Sequence, residues 1–226
     1  MNTIPQISLP DHASVIAGVR RISWLSANGV FESLDREDAV VRLAGGACPF
    51  VCHARLMERR LTIEPFVAFD VLELYAFVRP ARFTLPTPKG IAESLGLTLP
   101  GSIDAEAAVL LKIAKGLLDE LALLAVQKPE RAQGLAELAL SMKCAGWTWG
   151  PLVFDALGAP NIEDTFSKSS RVWLHLPEWE DENDIVSPGD HAVSAKAARI
   201  RLAEILGPAS EHRAGQHDYV ETCVNA

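Results

Sequence analysis

Short apolar segments separated by turns open the chain and predict a β-meander. The apolar, β-prone segments are 15–19, 22–25 and 30–34. Asn28-Gly29 separates the second and third segments and is a strong signal for a two-residue hairpin turn. Asp35 is a suitable N-cap for a short helix that Gly45-Gly46 ends. The pattern therefore predicts three strands and one helix in this part of the chain.

Strands and helices then alternate. Short apolar strands are predicted over 49–52 and 66–69, and helices over 53–61 and 71–78. This alternation predicts a sheet that is at least partly parallel, and such sheets bind ligands beyond the carboxyl ends of their strands. His53 and Asp70 each follow one of these strands, so we expect both at the same edge.

From residue 87 onward the pattern is mainly helical. Helices are predicted over 87–95, 103–126, 129–144, 151–157, 193–206 and from 210 onward, with an extended segment over 171–176. Thr87-Pro88 has the N-cap and first-turn proline of a helix start. The predicted fold class is α/β, with a mixed sheet flanked by helices and a helical C-terminal extension.

Charge is unevenly distributed. The formal net charge is −8, from 29 acidic and 21 basic side chains. Residues 1–90 carry ten Lys/Arg and nine Asp/Glu, whereas residues 91–226 carry eleven and twenty. The whole chain is therefore no general polyanion binder, although a local site in the first half remains open. No apolar run is long enough to span a membrane and no secretory signal is visible, so a cytoplasmic protein without a membrane partner is expected.

The cysteines and the known nucleotide motifs add little. The four cysteines, Cys48, Cys52, Cys144 and Cys223, are expected to be free and mostly buried thiols. The chain contains neither a Walker phosphate loop nor a Gly-x-Gly-x-x-Gly motif, so no cofactor is expected in it.

Three segments carry the candidate chemistry. They are Phe50-Val51-Cys52-His53-Ala54-Arg55-Leu56-Met57-Glu58-Arg59-Arg60-Leu61, Ala68-Phe69-Asp70-Val71-Leu72-Glu73-Leu74 and Asp104-Ala105-Glu106-Ala107. Their order resembles the middle and end of a DnaQ-type 3′–5′ exonuclease domain. The resemblance implies a ribonuclease-H-like fold and an ancestral site at His53, Glu58, Asp70, Glu73 and Asp104. In that chemistry about four carboxylates hold two divalent metal ions around the scissile phosphate.

The first motif of that family is missing. Its Asp-x-Glu pair is replaced by Ala17-Gly18-Val19 or Ser23-Trp24-Leu25, and Ala54 stands where asparagine is expected. Leu99 stands where a histidine should precede Asp104. With two ligands lost, too few anionic oxygens remain. We therefore expect a nuclease fold with no catalytic residue and no metal. Asp70 and Asp104 also fit a simpler role as carboxylates at helix N-termini.

Basic residues near this edge are the candidates for binding nucleic acid. Those predicted to contact phosphates are Arg55, Arg59, Arg79, Arg82 and Lys89, with Arg60 nearby. Phe83, Trp147 and Trp149 are candidates for stacking on unpaired bases, with burial in the core as the alternative.

The C-terminal stretch suggests a larger context. Glu211-His212-Arg213-Ala214-Gly215-Gln216-His217-Asp218-Tyr219 resembles the adenine-reading entry motif of DinG/XPD-type DNA helicases. Upstream segments, including Gly146-Trp147-Thr148-Trp149-Gly150 and Leu176-Pro177-Glu178-Trp179, resemble bacterial DinG-like helicases with an exonuclease-like N-terminal region. Arg213 and Gln216 would then contact adenine once the motor is attached, with ATP and Mg²⁺ belonging to the parent helicase. The last helix has no stop signal, which is expected of a fragment of a longer chain.

The resemblance divides the chain into four regions. They are a degenerate exonuclease domain (10–126), a helical extension (127–176), an acidic linker (177–192) and the start of the helicase motor (193–226). The expected function is to handle single-stranded or forked DNA, or to regulate its access to the motor domains in cis, in DNA repair. Two alternatives remain open: an active metal-dependent exonuclease that uses carboxylates such as Glu32 or Asp35, and a protein-interaction module that binds no nucleic acid.

Overall fold

The computed structural model describes residues 7–158, 193–207, 211 and 213–224. The strands are β1 (Ser14–Ala17), β2 (Ile22–Leu25), β3 (Phe31–Leu34), β4 (Phe50–Val51) and β5 (Phe69–Asp70). The helices within these residues are α1 (Arg36–Ala44), α2 (Ala54–Leu61), α3 (Val71–Val78), α4 (Pro88–Ser94), α5 (Ile103–Gln127), α6 (Pro129–Cys144), α7 (Gly150–Ala156), α8 (Ala195–Leu206) and α9 (Ala214–Val224). The predicted 171–176 segment and the acidic linker over 177–192 lie outside the described residues.

The strands form one mixed sheet in the order β3-β2-β1-β4-β5. The pairs β1–β2 and β2–β3 are antiparallel, whereas β1–β4 and β4–β5 are parallel. Gly29 has a φ of 78° in the β2–β3 turn, a conformation that glycine adopts without a Cβ clash. The predicted α/β class, meander and partly parallel pairing are confirmed.

Two hydrophobic layers cover the two faces of the sheet. On one face Ile16, Leu25, Phe50 and Phe69 pack against helices that include α3 and α5. On the other face Val15, Ile22 and Trp24 share a layer with buried residues of α1 and α2. Because neighbouring strand residues point to opposite faces, the short β1 contributes to both layers.

Helices α6 and α7 share the core of the sheet domain. Ala132, Leu135, Ala136 and Ala139 of α6 are buried in the same layer as α5. Trp149, directly before α7, is fully buried and lies against Phe50 and Phe69, with ring centroids 5.8 Å and 5.0 Å away. The predicted helical extension, as far as residue 158, therefore packs as part of the α/β core.

Residues 1–179 and 180–226 form two compact units. In the described part of the second unit, Ser194 caps α8 by accepting a hydrogen bond from the Ala197 N–H. Arg199 of α8 forms an ion pair with Glu221 of α9. No residue in either of these helices is buried. This unit is therefore a helix pair without an apolar core in the residues described.

Nowhere in the described residues is there a helix with the length and apolar character needed to cross a lipid bilayer.

Candidate functional site

The carboxyl ends of β4 and β5 lie side by side. Val51 pairs with Asp70 in the parallel ladder, and His53 follows β4 in a left-handed backbone conformation, with φ 64°. The His53 N–H lies 2.9 Å from Asp70 Oδ1. The expectation that His53 and Asp70 meet at one edge of the sheet is therefore confirmed.

Asp70 connects the starts of two helices. Its Oδ1 accepts hydrogen bonds from the backbone N–H groups of His53 and Leu72, and its Oδ2 accepts one from Ala54 at 2.6 Å. Asp70 is only 6 % exposed, and its own carbonyl accepts a 2.8 Å hydrogen bond from the Trp149 indole. The simpler role predicted for Asp70, a cap on the following helix, is confirmed, and the same carboxylate also caps α2.

A groove of about 460 Å³ lies beside this edge. The residues that line it include Arg55, Glu58, Asp70, Glu73 and Trp147. The Trp147 indole donates a 3.1 Å hydrogen bond to Glu73 Oε2. Burial, and then the negative charge of Asp70, raise the pKa of Glu73, while Trp147 and Arg55 oppose that change. The groove therefore contains three carboxylates of the predicted ancestral site.

Asp104 has different partners from these three carboxylates. It lies in the first turn of α5, and both of its oxygens accept hydrogen bonds from Arg21, at 3.1 Å and 3.0 Å. Ser23 on β2 donates a third hydrogen bond at 2.7 Å. The Arg21 hydrogen bonds, followed by that of Ser23, lower the pKa of Asp104. Asp104 does not line the groove.

These residues do not fit a two-metal centre. The oxygens of Asp70 bind three backbone N–H groups, and those of Asp104 bind Arg21 and Ser23. At the end of β1, Ala17 is buried and Val19 is fully exposed, so no carboxylate replaces the missing pair there. In the described part of the chain, no three His, Cys, Asp or Glu side chains are grouped as metal ligands.

The predicted phosphate-binding residues differ in their surroundings. The Arg55 side chain is 76 % exposed and lies 3.7 Å from Glu58, while Arg59 is exposed one helical turn further along α2. Arg60 donates to the Ala17 carbonyl, and Arg79 binds Glu120 and the Ser94 carbonyl. Lys89 is exposed on α4, and Arg82 is exposed in the loop before it. The structure thus brings Arg55 to the groove and uses Arg79 to connect α3, α4 and α5.

The three aromatic candidates also differ in their exposure to solvent. Phe83 is 88 % exposed. Trp147 is half-buried, and its ring centroid lies 5.0 Å from that of Phe77. Trp149 is fully buried in the core, so the prediction that it offers a stacking face is wrong, and the alternative of a core role is the correct one.

The predicted nucleotide-contacting residues lie at the start of α9. Arg213 is exposed and pairs with Glu211 at 3.7 Å. Its carbonyl accepts a hydrogen bond from the Gln216 N–H, which begins the helix. The two residues are therefore neighbours on one helical turn.

All four cysteines are free, as predicted. The expectation that most are buried is wrong, because Cys144 and Cys223 are exposed and Cys48 and Cys52 are half-buried. Burial, and then the charges of Asp70 and Glu106, raise the pKa of the Cys52 thiol to about 12. Cys52 is therefore a protonated, weakly reactive thiol at neutral pH.

The partners that determine the chemistry of this edge come from distant parts of the chain. Arg21 is 83 residues from Asp104, and Trp149 is 79 residues from the Asp70 carbonyl that it binds. No spacing pattern links such distant residues. The only available signal for Arg21 was a basic side chain close to the position of the missing acidic pair.

Comparisons of this chain with protein-family models, with curated proteins and with solved structures find no match.

Proposed function

We propose that this chain is a ribonuclease-H-like domain that has lost nuclease activity and that guides single-stranded or forked DNA for a DinG-like helicase in the cytoplasm. The proposal rests first on the resemblance described above. A meander continued by two parallel strands, with helices on both faces, agrees with the mixed sheet that the resemblance implies.

One observation carries the DNA-binding part of the proposal. Arg55 and Arg59 lie one turn apart on α2 and are both exposed, and Arg55 lines a groove that also contains the half-buried Trp147. Guanidinium groups bind phosphates whatever the sequence, and an indole offers a stacking face to an unpaired base. Because Glu58, Asp70 and Glu73 make the groove itself acidic, the backbone of the strand would follow α2 along the rim.

The loss of nuclease activity is supported by the hydrogen bonds of the two aspartates. Each carboxylate oxygen of Asp70 and Asp104 already accepts an N–H or O–H group of the protein. Recruiting both aspartates to a metal pair would uncap α2 and α3 and would break the Arg21 ion pair.

The helicase part of the proposal concerns the second unit. Arg213 and Gln216 would contact the adenine of ATP in a motor that follows in the same polypeptide, with Mg²⁺ bound by that motor. The reading frame beyond residue 226 tests this directly. A glycine-rich phosphate loop downstream supports the proposal, and an unrelated downstream sequence contradicts it.

DNA binding is tested by fluorescence anisotropy with labelled single-stranded and forked oligonucleotides over a range of salt concentrations. We expect affinity to fall as salt rises. In the double variant Arg55→Ala/Arg59→Ala the slope of log K against log salt should be smaller by about 1.4, at about 0.7 for each phosphate contact. Lys112→Ala, at an exposed position on α5, is the matched control and should leave the slope unchanged.

Nuclease activity is tested in the same samples by single-turnover digestion with Mg²⁺ or Mn²⁺. We expect no shortening of the labelled strand. Digestion that disappears in Asp104→Asn would establish the active exonuclease instead.

A second candidate function is supported by exposed apolar side chains in the loop before α4. Phe83 is 88 % exposed and Leu85 is 56 % exposed, so this loop presents two neighbouring apolar side chains that a partner protein would cover. Absence of any DNA binding at low salt would favour this protein-interaction module over the DNA-guiding domain.

A further inference from the structure

A second cavity lies near the C-terminal end of α3 and the N-terminal end of α6, two helices whose other ends border the groove. Its volume is about 240 Å³, and it is formed by the C-terminal parts of α3 and α5 and the N-terminal part of α6. The apolar walls are provided by Phe77, Val78, Pro80, Leu121, Leu124 and Leu135. Ligand sites for drug-sized molecules usually measure about 300–1,000 Å³, so this cavity suits a smaller molecule.

Arg131 gives this apolar cavity a charged group without a partner. Its Nε is buried and has no hydrogen-bond partner in the described residues, and Arg131 is one of the residues that line the cavity. Buried polar groups are nearly always hydrogen-bonded, so Arg131 has a hydrogen-bonding group that the described residues do not satisfy. A guanidinium beside a cavity is matched in geometry by a carboxylate, which accepts two parallel N–H groups.

The other charges around the cavity favour an anion. Lys128 lies at its rim, next to the start of α6. The one acidic side chain in the wall, Glu120, is already paired with Arg79, whose Nε lies 3.3 Å and 3.0 Å from its two oxygens. Arg131 and Lys128 therefore both line the cavity, and the carboxylate among its lining residues is paired with Arg79 instead.

We propose that this cavity binds a small apolar carboxylate, with its carboxylate on Arg131 and Lys128 and its hydrocarbon part against the leucine-rich wall between α5 and α6. The walls exclude water from the hydrocarbon part, and the two cations provide the polar recognition. Neither the DNA-guiding function nor the acidic groove is needed for this site.

The test is a calorimetric titration of the 226-residue chain with hexanoate, with 1-hexanol as the uncharged probe of the same shape. We expect saturable binding of hexanoate in about the millimolar range, and binding of hexanol at least about tenfold weaker. Arg131→Gln should weaken hexanoate binding by about tenfold or more, because it removes a charge-assisted hydrogen bond.

Two further variants keep the test decisive. Lys128→Gln changes an exposed side chain and should also weaken hexanoate binding while the fold is unaffected. Lys112→Gln, exposed on α5 away from the cavity, should leave it unchanged. Equal affinity for hexanoate and hexanol, no saturable binding, or insensitivity to both Arg131→Gln and Lys128→Gln would each overturn the proposal. DNA binding is measured separately, so its loss or presence does not affect this result.

Discussion

The two aspartates of the predicted site lie in different surroundings. Asp70 is buried at the end of β5 and its three donors are backbone N–H groups at the starts of α2 and α3. Asp104 lies at the surface end of α5, and its donors are the side chains of Arg21 and Ser23. One aspartate is therefore part of the framework, whereas the other belongs to a side-chain cluster.

This difference shows two ways in which a carboxylate stops being available to a metal ion. Backbone donors are fixed by the fold, so Asp70 cannot turn outward without releasing two helix ends. Side-chain donors can be removed without changing the backbone, because a single substitution removes the long side chain of Arg21. Making Asp70 available to a metal ion would therefore lower the stability of the fold. Making Asp104 available would mainly change the charge of the surface.

The largest expected effect is the loss of stability in Asp70→Ala. The substitution leaves three N–H groups without an acceptor and removes a cap from two helices, so the free energy of unfolding should fall by roughly 3 kcal/mol. Urea denaturation followed by circular dichroism measures it. Asp104→Ala is the matched comparison. An equal loss of unfolding free energy in both variants would contradict the distinction drawn between Asp70 and Asp104.

The elements around Asp70 were largely predictable because their signals are local. The helix predicted over 71–78 has those bounds in the structure, and Thr87 caps α4 by accepting a hydrogen bond from the Gly90 N–H. The predicted strand bounds were less accurate, because pairing with neighbouring strands decides how long each strand is. The strand predicted over 66–69 is reduced to Phe69–Asp70, and Val67 is 65 % exposed.

The residues of the candidate site could be predicted from the sequence, but their hydrogen-bond partners could not. His53, Glu58, Asp70 and Glu73 were singled out by their order along the chain, and the parallel pairing of β4 and β5 brings this part of the chain to one edge. The donors to Asp104 and to the Asp70 carbonyl come from distant elements. Their contacts depend on how α5 and α7 pack on the sheet, which no local pattern encodes.

A smaller effect is expected at Glu73, which is close enough to Asp70 to be influenced by its charge. The pKa of Glu73 is raised from 4.5 in the folded protein, mainly by burial. The folded state therefore binds this proton more tightly, and stability is lost as the pH rises from about 4.5 through the folded pKa.

Glu73→Gln tests this linkage while preserving an oxygen for the Trp147 indole. At neutral pH the variant should be at least as stable as the wild type, by less than about 1 kcal/mol because water screens a half-exposed group. Its free energy of unfolding should also change less with pH just above pH 4.5. Urea midpoints across the pH range measure both, and Glu93→Gln, exposed on α4, is the control. A variant less stable than wild type at neutral pH would show that the charged form of Glu73 is favoured.

The smallest effect is expected at the Arg21–Asp104 pair. Hydrogen bonds from Arg21 and Ser23 hold the pKa of Asp104 below 3.8, so its contribution to stability is present above that value and is lost as the pH falls through the folded pKa. Because both partners are substantially exposed, salt should weaken the pair. A double-mutant cycle with Arg21→Ala and Asp104→Ala measures the coupling at low and high salt. We expect a weak coupling that decreases with added salt. A coupling as large as the loss in Asp70→Ala, and insensitive to salt, would make this cluster part of the framework as well.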